Sequence, residues 1–232
     1  MTLPLMPAPA PARPQERIWT PTFVAFLGYV LIIVTYKLGM GTAAMVLALL
    51  TLFFERQRLR APRFLGFFAA WVAWAAIGYF ATPYPDDVWA TLVQQGKLVL
   101  VALVAVNALR TPAQVRIFIV FVLASYLLFP VRATLVNYMH GYTNLGRAIG
   151  PFIYENANDL AAITILMLAP ALALFAGEPH RPLVRWFGLA CAVPFVITIL
   201  LTQSRGAFLA LVALGLPSGI GLARRRPRLV PV

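Results

Sequence analysis

The feature that most constrains this chain is a succession of apolar stretches, each near the length needed to cross a bilayer, separated by short segments rich in Arg, Pro and Gly. A spanning helix needs about 20 mostly apolar residues. Eight stretches are candidates, at roughly 22–38, 40–54, 64–81, 91–109, 117–138, 160–176, 186–203 and 206–222, several of them short. The last two form one apolar run broken only by "TQSRG". A single helix over that run would reach about 55 Å at 1.5 Å per residue, nearly twice the hydrocarbon thickness. The chain is therefore expected to turn between Thr202 and Gly206. Hydrophobic residues make up 61% of the 232 and charged residues 11%, far from the composition of a soluble domain. The fold class that follows is all-α, a polytopic transmembrane bundle of about eight helices.

The formal charge of +12 does not point to nucleic acid, because the basic residues fall in short clusters between apolar runs, where they act as topology signals. With the amino terminus inside, 14 of the 19 Lys and Arg residues fall on inner segments. Lys37, Lys97, Arg132, Arg147 and Arg205 are left at the outer side or within the membrane. Both termini are then cytoplasmic. Residues 1–21, with six prolines, lack the order of a signal peptide and read as a disordered cytoplasmic tail. Residues 22–222 read as the transmembrane domain and 223–232 as a basic cytoplasmic tail. The lone Cys191 sits in an apolar run, where it reads as a packing residue.

Against this background, "GRAIGPFIYENANDLAA", Gly146 to Ala162, is unusually polar. The topology sends it outward, between the fifth and sixth helices. Asn156, Asn158 or Asp159 can cap the sixth helix, accepting free backbone N–H groups at its start. One cap needs one residue, and four polar side chains fall between Glu155 and Asp159. Arg147 precedes a Gly-Pro turn, which implies a shaped loop. Arg205, between Ser204 and Gly206 with apolar residues on both sides, is either an interfacial anchor or a charge held in a cavity. Its planar fork of donors suits phosphate oxygens. Asp86 and Asp87 read as the N-terminal cap of the fourth helix, near the belt aromatics Tyr84 and Trp89. His140 lies near the outer loop and His180 on the inner side. No nucleotide-binding, zinc-protease or nucleophile-elbow pattern occurs.

Taken as a pair, "GRAIGPFIYENANDLAA" and "LLTQSRGAFLALVAL" resemble the O-antigen ligase and polymerase family, bacterial inner-membrane glycosyltransferases of polysaccharide and lipopolysaccharide biosynthesis. The resemblance covers about Met139 to Leu216 in motif detail and the rest by topology. It implies transfer of a polyprenyl-diphosphate-linked glycan to an acceptor hydroxyl outside the inner membrane, without metal, nucleotide or other cofactor. It gives Arg147 and Arg205 the lipid diphosphate, with Asn156, Asn158 and Ser204 in support. Family members continue through further helices and a large outer loop carrying a histidine base. This chain ends in "PSGIGLARRRPRLVPV", so the expectation is that the catalytic half is lacking. Two other readings compete: a non-catalytic membrane subunit binding lipid or a partner, and a transporter, which would carry ionisable residues in mid-helix and an inverted repeat.

Overall fold

The computed structural model describes residues 17–35, 40–55, 58–177, 180–213 and 215. Within them lie eight bounded α-helices: α1 (Pro21–Thr35), α2 (Gly41–Phe54), α3 (Arg63–Ile77), α4 (Pro85–Ala108), α5 (Pro112–Tyr126), α6 (Arg132–Met139), α7 (Ala157–Gly177) and α8 (Pro182–Leu201). A further helical stretch covers 205–213. The helical fold class and the turn after residue 201 agree with the sequence pattern. Most of the proline-rich segment, Lys37, and the basic tail at 223–232 lie outside the described residues.

Five helical segments are long and apolar enough to cross a membrane: Arg63–Phe80, Pro85–Ala108, Pro112–Met139, Ala157–Gly177 and Pro182–Leu201. The first continues α3 through a short 3₁₀ turn, and the third joins α5 to α6 through a π turn at Leu127–Val131. With 15 and 14 residues, α1 and α2 reach only about 20 Å each at 1.5 Å per residue. Pro130 sits inside the π turn. It has no N–H to give an i−4 carbonyl, so the ladder widens there while the helix continues.

Two apolar cores hold the bundle together. One joins Phe23, Phe26 and Leu27 of α1 to Met45, Ala48 and Leu52 of α2 and to Val104 and Ala108 of α4. The other joins Leu123 and Tyr126 of α5 to Leu160 and Leu168 of α7 and Phe195 and Ile199 of α8. Phe118 and Phe121 of α5 pack on the first core, so this helix is shared between them. Cys191 is buried in the second core, a packing residue as its setting suggested. Close approach of α7 and α8 depends on Gly188, where a Cβ would lie 2.6 Å from the Ala171 carbonyl oxygen and 2.9 Å from the Phe175 nitrogen. By contrast α3 buries only Leu65 and turns Phe64, Phe67, Trp71 and Trp74 outward.

At one end of the bundle, polar groups fasten the loops. Asn107 of α4, 3% exposed, accepts from the Arg60 backbone N–H at 2.8 Å and donates to the Arg60 carbonyl at 2.9 Å. Arg110 donates to the Asn107 side chain and to the Arg58 carbonyl. Thr111 and Gln114 form a capping box at the start of α5, after which Pro112 fits the first helical turn. The Gln114 amide also donates 2.9 Å to the Ile18 carbonyl, which ties residues before α1 to the bundle. Thr22 and Glu55 join α1 to the end of α2 through a hydrogen bond.

Replacing Gly188 with Val should force α7 and α8 apart and destabilise the fold by about 1–3 kcal/mol, the usual cost of overpacking. The expected result is a lower thermal midpoint in detergent for Gly188→Val and little change for Gly66→Ala, whose Cβ meets nothing within 4 Å. Equal midpoints for the two variants would refute the tight crossing.

Candidate functional site

The opposite end carries the loop singled out by the sequence. After α6, the chain makes a short antiparallel hairpin, β1 (Thr143–Asn144) with β2 (Arg147–Ala148), in the register Asn144 opposite Arg147. Leu145 and Gly146 between them both have positive φ, 53° and 77°, the signature of a type I′ hairpin turn. Glycine takes this conformation freely and leucine does not. The hairpin places Arg147 at the root of the loop and leaves the Leu145 side chain exposed.

The Gly-Pro turn that follows is packed, not loose. The Gly150 N–H donates to the Tyr154 carbonyl at 2.7 Å, and a Cβ on Gly150 would lie 2.6 Å from Tyr154 Cβ. Phe152 takes φ of 56°, outside the range comfortable for an L-residue. Tyr154 is buried against the Tyr126 ring, at 6.0 Å in an edge arrangement, and burial raises its phenol pKa above the ordinary value.

Asn156 is the cap of α7: its side-chain oxygen accepts from the Asn158 backbone N–H at 2.9 Å. That leaves Asn158 for another task, and it takes one. Its Oδ1 accepts from Arg147 Nη2 at 2.7 Å, while Arg147 Nε donates to the Thr202 carbonyl at 2.8 Å. Thr202 belongs to the turn after α8, where Gln203 has φ of 51° and its amide reaches the Gly146 carbonyl at 3.4 Å. The carbonyls at a helix C-terminus lack helical partners and carry the negative end of the dipole. Arg147 therefore bonds the start of α7 to the end of α8, and the two polar motifs meet.

Ser204 lies at the start of the next helical stretch, its hydroxyl 3.5 Å from the Ala207 N–H. Arg205 is exposed and forms no hydrogen bond or ion pair among the described residues. It borders a surface cavity of about 390 Å³ with Leu200, Gln203, Ser204 and Phe208. Ser204 also borders a neighbouring depression of about 470 Å³ with Asn158, Gly206 and Ala210. Thus Arg147 is bound to protein acceptors, and Arg205 has its donors free among the described residues. The motif sequence offered no sign of this difference, because the Thr202 carbonyl is an acceptor with no residue-type signature.

Other expectations fare differently. Asp86 and Asp87 do not cap α4, which starts at Pro85 after Tyr84 with no side-chain cap; they sit in its first turn, where their charge suits the helix dipole. That earlier start places Lys97 at the middle of a 24-residue apolar helix, the second of the two places the sequence left open for it. Arg132 likewise lies inside the Pro112–Met139 segment. The ring of His140 is 2.7 Å from the Val136 carbonyl, a contact with the end of its own helix. No group of three or more His, Cys, Asp or Glu residues that could hold a metal occurs among the described residues.

Comparison of the chain with family models, with curated proteins and with solved structures finds no match.

The Arg147 junction is testable without a substrate. In a double-mutant cycle of Arg147→Gln and Asn158→Ala, the pair should show a coupling energy of about 1 kcal/mol in thermal or denaturant unfolding. Effects that add to within about 0.3 kcal/mol would show that the contact contributes nothing.

Proposed function

We propose that this chain is a multi-pass inner-membrane protein of the O-antigen ligase and polymerase type, which binds a polyprenyl-diphosphate-linked glycan at the hairpin end of the bundle for transfer to an acceptor hydroxyl. One observation carries the reading. Arg147 joins the segment "GRAIGPFIYENANDLAA" to the segment "LLTQSRGAFLALVAL" through Asn158 and the Thr202 carbonyl, so motifs 55 positions apart form one local structure beside Arg205, which has no partner among the described residues.

In this proposal the eight apolar stretches of the sequence all span, and both termini are cytoplasmic. The end carrying Arg58, Arg60, Arg63 and Arg110 faces inward by the positive-inside rule, and the hairpin faces outward. Arg205 takes the diphosphate, helped by Ser204. Arg147, with Asn156 and Asn158, shapes the turn that presents it, which makes Arg147 a positioning residue. During transfer the acceptor oxygen attacks the anomeric carbon, the bond from that carbon to the diphosphate oxygen breaks, and Arg205 balances the charge on the departing group. In the family that the motifs resemble, the acceptor's proton goes to a histidine base on a large outer loop. Ionisable residues in mid-helix are also what a transporter would carry; the joined motifs at one end favour the transferase reading.

Undecaprenyl diphosphate is the direct probe. Arg205→Gln in the full chain, reconstituted in nanodiscs, should weaken retention of this lipid at least about tenfold, a loss of about 1.4 kcal/mol, while undecaprenol retention stays as in the parent. Unchanged diphosphate binding would sink the assigned role of Arg205.

A further inference from the structure

An apolar space at the hairpin end lies beside the π turn, away from Arg205. This cavity of about 350 Å³ lies between the end of α1, the π turn, α6 and the loop, with Val34, Leu128, Phe129, Arg132, Ala133 and Phe152 in its lining. Its apolar wall is open: Leu128 is 57% exposed and Phe152 52%. Exposed apolar side chains lining a pocket mark a surface that an apolar ligand or lipid chain can cover.

Arg132 is the only charged residue of that lining among the described residues. It is exposed and has no hydrogen bond or ion pair among the described residues. It stands seven residues before the end of α6 at Met139, about 10 Å along the helix at 1.5 Å per residue. A cation at that depth in an apolar span needs an anion or a route to water. The π turn is what puts it on this wall, because one extra residue in a helical turn rotates everything after it by about 100°. Polar Thr35 and Asn137 lie with Arg132 in the lining, and its other described residues are apolar apart from the Tyr154 hydroxyl.

We infer that this cavity is a binding site for a phosphate-bearing amphiphile, with the phosphate on Arg132 and the hydrocarbon chain on the wall of Val34, Leu128, Phe129 and Phe152. The guanidinium fork matches phosphate oxygens in a way that a neutral headgroup cannot use. The site is separate from the Arg205 cavity and does not depend on the transferase reading. Two sources supply this chemistry: an anionic phospholipid of the bilayer, and a polyprenyl monophosphate.

Native mass spectrometry of the full chain separates the possibilities, with Arg205 left intact in every sample. The probes are phosphatidylglycerol, phosphatidylcholine with the same acyl chains, and undecaprenyl monophosphate. The parent protein should retain at least one of the two anionic lipids over phosphatidylcholine, and Arg132→Gln should reduce that retention about tenfold. Ala133→Trp, which fills the cavity without altering charge, should do the same, and Arg132→Lys should restore part of it. Arg63→Gln, which removes an equal charge at the far end of the bundle, should leave retention as in the parent. Whichever anionic lipid responds to both cavity variants identifies the source. A thermal midpoint for each variant guards against misfolding; if Arg132→Gln misfolds, Ala133→Trp and Arg132→Lys decide. Equal retention of phosphatidylcholine, or anionic-lipid retention unaffected by the cavity variants, would overturn the assignment.

Discussion

A backbone amide inside hydrocarbon has no water to bond, and leaving it unpaired costs several kcal/mol. The described residues are consistent with that constraint. The five long apolar segments are helical almost throughout, and regular structure is relaxed only where something else compensates. At Pro130 the missing donor is absorbed by a π turn without breaking the Pro112–Met139 segment. Non-helical backbone is gathered at the two ends, where side chains can supply the lost partners.

The two ends solve that problem differently. At the basic end, buried amides do the fastening: Asn107 closes on both backbone groups of Arg60, and Gln114 caps α5 while holding Ile18. At the hairpin end a charged side chain does it, with Arg147 reaching a helix-terminal carbonyl and an asparagine. The first arrangement joins α1, α4 and the α2–α3 connection around one apolar core. The second joins α7 and α8 around the other. Helices α5 and α1 both pack on the two cores, α1 through Phe23, Phe26 and Leu27 on one and Val34 on the other, so the two are held in one body.

Arginines at the hairpin end therefore fall into two physical classes. Arg147 has two nitrogens on protein acceptors, so its charge is already part of the fold. Arg205 and Arg132 have none among the described residues, and each borders a cavity with apolar walls. A cation beside apolar surface is an incomplete interaction, the kind that an anionic group completes with the chemistry a protein carboxylate would use.

The succession of apolar stretches alone determined the helical class, the approximate positions of the five long segments and the turn after Leu201, because these depend on chain length against bilayer thickness and on local helix-breaking residues; it missed the start of α4 by six residues, because the first turn of that helix carries Asp86 and Asp87. Capping of α7 was legible too, since a cap is a contact between near neighbours. What the sequence could not carry is any contact whose partner is a backbone atom or is far along the chain. Nothing in "TQSRG" announces that the Thr202 carbonyl receives Arg147, and nothing around Pro130 announces that a widened turn brings Arg132 to the same wall as Val34 and Phe152. Residue type signals what a side chain can bond; only the packing of α1, α6, α7 and α8 decides which charges are used by the fold and which remain for a ligand.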